Sequence, residues 1–258
     1  MLKNLLLWTI AVVSCASLPA QGRAVVAAQA ARADPDEIIF MRPTRRAPGA
    51  PPAALADLPQ AADRLPPLTL EVVTRHQSGR RVTHTTRHTV ARTADRIHMT
   101  FADGREWLFE RNPLDPRRVS GQLIVHARRT IVLHEASDLR NMLGVNGWAD
   151  VLMLGVDSGA VSGLKPTGRT RMIGSVRFVR LTSQGQEARI SDIWWSREHA
   201  LPGGFVVRDR AGLTRVSVDR LRTGVNAELL RAPSSRFPEY EVVDLAEWLE
   251  GRRQASRG

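Results

Sequence analysis

From residue 68 onward, polar and apolar residues alternate over short segments rich in β-branched side chains. A period of two is typical of strands that bury one face. Turn signals such as Ser78-Gly79 and Asp103-Gly104 leave connections too short for crossovers, so we expect antiparallel pairing. The first six predicted strands form a meander and span residues 68–76, 81–92, 95–101, 106–111, 119–126 and 129–135.

Two short helices are predicted after the sixth strand. Either Ser137 or Asp138 can cap the first of them, and Gly144 and Gly147 separate it from the second. Apolar residues recur within each helix at the spacing of one helical face. These residues are Leu139, Met142 and Leu143 in the first helix, and Trp148, Val151 and Leu152 in the second.

Strand patterns return in the second half of the chain, and a last helix is predicted over residues 242–250, ending at Gly251. This order predicts a mainly antiparallel β fold with helices. We expect one large curled sheet of about ten strands, a half-barrel, with a helical lid and a C-terminal helix. The later strand segments are 169–183, 188–196, 204–210 and 214–221, and the helix places Leu245, Trp248 and Leu249 on one face.

The turn at Thr93-Ala94 predicts a register for the second and third strands. Pairing Arg92 with Asp95 places Val90 opposite Ile97, His88 opposite Met99, and Thr86 opposite Phe101. These residues share one face, which is mostly apolar. The other face suits solvent and carries Thr83, Thr85, Arg87, His98 and Thr100.

The apolar face fits two interiors, one hollow and one filled. A lipid cavity needs apolar walls with a few polar groups at its mouth, whereas a packed core would use the same side chains. Trp194 and Trp195 place one indole on each side of a strand, and one of them can line such a cavity. The candidate ligand-binding residues are Val90, Ile97, Met99, Phe101, His88, Leu139, Leu143, Trp148, Leu152 and Trp195.

Residues 1–20 predict an export signal, because Lys3 precedes an apolar run over residues 5–13 that is too short to span a bilayer. Cys15 is the only cysteine of the chain and leaves two processing routes open. The residues before it resemble a bacterial lipobox, in which the cysteine is acylated. Alternatively, cleavage after Ala20 would discard it.

Residues 21–67 are rich in Ala and Pro, which predicts a disordered linker before a single domain over residues 68–251 and a basic tail over 252–258. The formal net charge is +11. The arginines are scattered among acids rather than gathered in a stripe, so nucleic-acid binding is not predicted. A diffuse positive charge suits anionic lipid headgroups.

Neither a cofactor, nor a metal site, nor a catalytic residue is predicted. His84 and His88 share a strand face but lie about 13 Å apart, too far for one ion. His126 and His134 flank a hairpin, where a pair is conceivable, but no carboxylate or cysteine completes a ligand set. The chain also contains no Gly-x-Ser-x-Gly elbow, so we do not expect an enzyme.

Two stretches resemble the LolA-like superfamily of bacterial envelope proteins, which includes lipoprotein carriers and envelope sensors. Residues 123–141 (LIVHARRTIVLHEASDLRN) look like its strand-turn-strand leading into a lid helix. Residues 190–212 (ISDIWWSREHALPGGFVVRDRAG) are similar to its strand with an aromatic pair, then Leu-Pro, then a strand ending in Asp and Gly. The resemblance implies a half-open barrel whose apolar interior accepts acyl chains under a helical lid.

The expected function is therefore non-catalytic binding or carriage of a hydrophobic ligand, such as lipid or lipoprotein acyl chains, by an exported envelope protein. The protein would be periplasmic or, if Cys15 is acylated, anchored to a membrane, with the outer membrane favoured. The alternative is a structural or regulatory envelope lipoprotein with a filled core. It would act through contact with an envelope protein partner.

Overall fold

The computed structural model describes residues 65–78, 81–115, 118–156, 164–183, 190–209 and 212–255. The predicted signal peptide, Cys15 and nearly all of the predicted linker lie outside these ranges. Within them, twelve strands form one sheet. Their bounds are Leu68–Ser78 (β1), Arg81–Arg92 (β2), Arg96–Phe101 (β3), Glu106–Arg111 (β4), Val119–Val125 (β5), Thr130–His134 (β6), Lys165–Ile173 (β7), Val176–Thr182 (β8), Ile190–Ser196 (β9), Leu201–Asp209 (β10), Gly212–Thr223 (β11) and Glu241–Asp244 (β12).

The sheet is curled and unclosed, with the order β12-β6-β5-β4-β3-β2-β1-β11-β10-β9-β8-β7. Neighbouring strands pair antiparallel except β12, which pairs parallel with β6. The predicted fold class is therefore confirmed, with two strands more than the expected ten. One of the additional strands arises within the predicted segment 169–183, and the other within the predicted last helix.

The register of β2 and β3 differs from the prediction by two residues. Arg92 pairs with Ile97, Val90 with Met99, and His88 with Phe101. The connection is longer than the assumed tight turn because Thr93 and Arg96 close it: the Thr93 N–H donates to the Arg96 carbonyl at 2.8 Å. A shift of two keeps each side chain on its predicted face.

The predicted strand over residues 169–183 is two strands, because the chain turns at Gly174 and Ser175. Gly174 has φ +57°, a left-handed conformation that favours glycine. A Cβ at this position would overlap the backbone carbonyl oxygen of Leu221 in β11. The turn between β7 and β8 therefore lies directly against β11.

Replacing Gly174 by alanine is expected to destabilise the fold more than replacing Gly168, which has φ +76° but open space around it. Gly168→Ala carries the conformational cost alone, about 1–2 kcal/mol. Gly174→Ala adds a clash with backbone, about 1–3 kcal/mol more. Urea denaturation of both variants measures the difference. Equal losses would contradict the close approach of this turn to Leu221.

The described residues form four α-helices, three of them with five residues or fewer. The first, α1, spans Ala136–Asp138 and continues as a π-helix over Leu139–Leu143. Its N-cap is Glu135 rather than Ser137 or Asp138, and Asp138 instead accepts a hydrogen bond from the Glu135 N–H at 3.0 Å. The others are Trp148–Leu152 (α2), Pro233–Arg236 (α3) and Leu245–Ala255 (α4), with 3₁₀ turns at His126–Arg128 and Ala227–Leu230.

The predicted last helix over residues 242–250 is wrong at both ends. Residues 241–244 form β12 because they continue the sheet beside β6, and the helix begins at Leu245. Gly251 does not end it, since a glycine costs a helix only about 1 kcal/mol. Leu245 and Trp248 are half-buried, but Leu249 is exposed.

The concave side of the sheet carries the hydrophobic core, which is one cluster of buried side chains running from β1 to β12. Residues 226–240 lie over the opposite, convex side of β3 and β4, and we call them the C-terminal cover. Leu245 and Trp248 of α4 instead pack against the core cluster. None of the described helices is long and apolar enough to cross a membrane.

Candidate ligand-binding face

The concave face brings together most of the predicted ligand-binding residues. Eight of the ten are buried and belong to one cluster: Val90, Ile97, Met99, Leu139, Leu143, Trp148, Leu152 and Trp195. The other two, His88 and Phe101, are half-buried and pair across β2 and β3. Their rings stack with centroids 5.4 Å apart.

Residues 136–156, which contain α1 and α2, form a lid segment over this face. A glycine in β5 allows its close approach: a Cβ on Gly121 would lie 3.1 Å from Leu139 and 2.9 Å from the Trp107 ring. The bare backbone of Gly121 thus leaves room for one lid side chain and one sheet side chain at the same point.

The lid segment contains eight consecutive helical residues over 136–143 and five over 148–152, too few in each case to be stable without tertiary contacts. Some of its hydrogen bonds are local, such as the Asn146 N–H to Asp150 at 2.8 Å. The Trp148 indole N–H ties it to the β2–β3 connection through the Ala94 carbonyl at 3.0 Å. The segment is otherwise held by buried apolar side chains, which are Leu139, Leu143, Val145, Trp148, Val151, Leu152, Met153 and Val156.

His134 is a polar group buried on this apolar face. Its ring lies 4.8 Å from that of Trp107, centroid to centroid. Within the described residues, neither of its ring nitrogens has a hydrogen-bond partner. Burial lowers the pKa of His134 to about 4, although the charge of Asp138 acts in the opposite direction. His134 is therefore neutral at neutral pH.

His88 lies at the border of the same face and shares this behaviour. Burial lowers its pKa to about 4, so it too is neutral at neutral pH. Both effects reflect a poorly hydrated environment, which disfavours charge. The concave face thus offers apolar walls with two uncharged polar rings.

The face is closed in this conformation. The eight buried candidates are at most 8% exposed. Two depressions lie elsewhere on the surface: one of about 450 Å³ is lined by α4, and one of about 350 Å³ lies beside Gly174 and Arg220. A ligand would enter the concave face only by displacing part of the lid segment.

The two neighbouring tryptophans of β9 have different surroundings. Trp195 belongs to the buried cluster, as a cavity or core position requires. Trp194 is half-buried on the other side of the strand, where the Arg171 guanidinium stacks 4.6 Å from its ring centroid.

A second cluster of side chains lies on the convex side, where the prediction for His98 was wrong. His98 was expected to face solvent but is 1% exposed, because the C-terminal cover lies over it. Glu106 is the centre of this cluster. It accepts hydrogen bonds from His98 (2.8 Å) and His126 (3.1 Å) and pairs with Arg236 of the cover (2.9 Å), while Tyr240 binds His126 at 2.8 Å.

This arrangement holds Glu106 as a carboxylate. Burial raises its pKa, but the hydrogen bond from His98 and the charge of Arg236, together with the His126 contact, outweigh this and lower it to about 2. The shielded ion pair between Glu106 and Arg236 holds the C-terminal cover against the sheet. The cluster is therefore structural rather than an open reactive site.

Acid is expected to destabilise the protein through Glu106. Because the folded-state pKa of about 2 lies below the ordinary 4.5, the stabilisation is complete above pH 4.5 and is lost as the pH falls toward 2. The loss corresponds to about 3 kcal/mol. Urea denaturation of wild type and Glu106→Gln between pH 7 and 2 should show their difference shrinking toward zero. A constant difference would contradict the shift.

The conceivable metal pair of His126 and His134 is not formed. His126 binds Glu106 on the convex side, whereas His134 lies beside Trp107 on the concave side. Across the described ranges, no group of three or more His, Cys, Asp or Glu side chains could hold a metal ion.

No protein-family model matches the chain, and no curated protein matches it. Solved structures that it resembles include a LolA superfamily protein from Nitrosomonas europaea, 9% identical with a TM-score of 0.31, over 69% of this chain and 97% of that one. The likeness between the two structures is one of fold.

Two further similar structures have somewhat higher TM-scores. An uncharacterised conserved protein from Thermus thermophilus is 12% identical with a TM-score of 0.41, over 74% of this chain and 96% of that one. A chain of the MucA/MucB complex of Pseudomonas aeruginosa is 16% identical with a TM-score of 0.41. The match covers 70% of this chain but only 60% of that one. Similarities this low concern the fold alone and say nothing of what the chain binds.

Proposed function

We propose that the chain is a non-catalytic exported protein of the bacterial envelope that binds a hydrophobic ligand on its concave face. The ligand class is lipid acyl chains, bound beneath the lid segment. One observation carries the proposal: a broad apolar sheet face is covered by two helical segments, of eight and five residues, that are too short to be stable alone.

The energetics allow an acyl chain to replace the lid side chains. Eight buried apolar side chains of the lid segment contribute about 1.5–3 kcal/mol each by leaving water. An acyl chain of about 14 methylenes contributes about 11 kcal/mol, at about 0.8 kcal/mol per methylene. Partial displacement of the lid by such a chain is therefore close to balanced, which suits a site that both takes up and releases ligand.

The π-helix in the lid segment supports the same assignment. Such helices are rare, mostly form a single turn within an α-helix, and occur frequently at functional sites. Leu139–Leu143 adopt this conformation directly over Gly121 and Trp107. The part of the lid that would have to move is thus also the part with irregular backbone.

A ligand with a polar head would also find a partner on this face. His134 is buried with two unpartnered ring nitrogens, and a buried polar group without a hydrogen bond costs about 1–3 kcal/mol. A hydroxyl or ester oxygen placed beside His134 would remove that cost. In this proposal, His88 lies at the mouth of the site.

Binding of the dye N-phenyl-1-naphthylamine tests the proposal. We expect saturable fluorescence enhancement that palmitate displaces. The variant Leu114→Gln is the control, because Leu114 is 93% exposed and distant from the concave face in the β4–β5 connection. It should bind like wild type. Absence of saturable binding, or its loss in Leu114→Gln, would overturn the proposal.

The second candidate function is contact with an envelope protein partner by a domain with a filled core. The closed concave face favours it, since the lid and sheet side chains already bury one another. In that case the dye would not bind saturably. Acylation of Cys15 belongs to either candidate and would place the domain at a membrane, whereas cleavage after Ala20 would release it.

A further inference from the structure

The convex side of the sheet has a second region, formed by β1, β2, β10 and β11, that the C-terminal cover does not reach. The strand register places alternate residues of these four strands on this side. We call it the basic face. Its arginines are Arg75, Arg87, Arg208, Arg215, Arg220 and Arg222, and its carboxylates are Glu71 and Asp219.

The two carboxylates compensate only part of this charge. Asp219 lies 3.8 Å from Arg87, and Glu71 lies 3.6 Å from Arg220, in exposed ion pairs. No carboxylate within the described residues pairs with the other four arginines of the face. Three of these, Arg208, Arg215 and Arg222, are exposed.

Two of the uncompensated arginines are direct neighbours. Arg75 of β1 and Arg215 of β11 occupy the same register position on adjacent strands. Like charges directly opposite each other destabilise a sheet. An anion bound between or above the two guanidinium groups would relieve this repulsion.

The spacing of these side chains is fixed by the sheet. Neighbouring strands lie about 4.8 Å apart, and outward residues recur about every 6.8 Å along a strand. Six arginines therefore cover an area of about 15 by 27 Å. The outward residues between them are small or aliphatic, such as Thr69, Thr85 and Thr89.

We infer that the basic face lies against the anionic headgroups of a membrane surface. Guanidinium groups bind phosphate through paired hydrogen bonds, and a planar array of them matches a planar array of lipid phosphates. The outward positions of these four strands carry no aromatic residue, and single-stranded nucleic acid needs such stacking platforms. The inference does not depend on ligand binding at the concave face, because it concerns the opposite side of the sheet.

Co-sedimentation with vesicles tests this inference, using the 258-residue chain so that its N-terminal apolar stretch contributes equally to every sample. The vesicles contain phosphatidylcholine with or without one third phosphatidylglycerol. We expect binding to the anionic vesicles that 0.5 M NaCl removes. Substituting Arg208, Arg215 and Arg222 by glutamine should weaken it about a hundredfold, at about fivefold per arginine.

A matched triple variant controls for net charge. Arg118, Arg140 and Arg231 are exposed and lie on the β4–β5 connection, the lid segment and the C-terminal cover. Their replacement by glutamine removes the same charge and should weaken binding less than fivefold. Equal weakening by both triple variants would overturn the inference, because net charge rather than the basic face would then determine binding.

Two other outcomes also overturn it. Equal binding to neutral and anionic vesicles would mean that the N-terminal stretch alone attaches the chain. Tighter binding to a DNA duplex than to anionic vesicles, lost in the Arg208, Arg215 and Arg222 variant, would mean that the basic face recognises nucleic acid. Circular dichroism confirms that each variant folds before its binding is compared.

Discussion

Replacing Trp148 by alanine is expected to lower the free energy of unfolding by about 3–5 kcal/mol. Trp148 is 2% exposed, anchors the lid segment on the concave face and donates its indole N–H to Ala94. Truncation removes both the packing of the indole and its hydrogen bond to Ala94, and it leaves a large void beneath a helix of five residues. Urea denaturation followed by circular dichroism measures the loss.

The matched control is Trp194→Ala. Trp194 is half-buried at the periphery of the core cluster and stacks under Arg171, so its removal should cost about 1–2 kcal/mol. If the two alanine variants lost the same stability, the lid segment would not be anchored as described. Dye binding by Trp148→Ala should also change, whereas Trp194→Ala should bind like wild type.

Replacing Arg236 by alanine is expected to cost about 3 kcal/mol, the second large effect. Arg236 is 13% exposed in its side chain and pairs with the equally shielded Glu106. Its loss leaves a buried carboxylate with only its two histidine partners, and breaking such a pair is strongly destabilising. The guanidinium also covers the Phe237 ring at 4.8 Å, and that contact disappears too.

Arg231→Ala is the control for this variant. Arg231 belongs to the same C-terminal cover and also forms an ion pair, with Glu228, but both side chains are more than half exposed. An exposed pair contributes about 0–1 kcal/mol. Limited trypsin digestion should release the cover from Arg236→Ala and leave it attached in Arg231→Ala. Similar digestion of both would show that Glu106 does not hold the cover.

The strands of the first meander are predictable because their signal is local. A period of two, bounded by turn residues, identifies β1–β6 to within about two residues, and β2 and β4 at both ends. The faces of β2 and β3 follow from the same period. Their pairing does not, because Thr93 and Arg96 lengthen the connection through a hydrogen bond that alternation cannot show.

The missed strand β12 illustrates a non-local effect. Residues 241–244 can continue a helical pattern, and only the presence of β6 beside them selects the extended conformation. The turn at Gly174 depends likewise on Leu221 of β11, which is distant in sequence.

The candidate site likewise has one part that local sequence patterns predict and one part that depends on residues distant in sequence. Burial of the lid and strand residues follows from hydrophobic periodicity, so eight of the ten candidates lie together. The Glu106 cluster could not be predicted, because His98 and Arg236 are 138 residues apart and alternation alone assigns His98 to solvent. The basic face could not be predicted from the sequence either, because its arginines are scattered among acids along the chain. Only the pairing of four strands brings them together on one side of the sheet.

Photochemical labelling tests the central proposal most directly. A palmitate carrying a diazirine at its terminal carbon is bound, irradiated and located by peptide mass spectrometry. Ligand binding beneath the lid predicts modification within residues 97–109 of the concave face and residues 139–152 of the lid segment, suppressed by excess palmitate. Modification confined to exposed apolar positions such as Leu114 and Met172, unaffected by competitor, would contradict it.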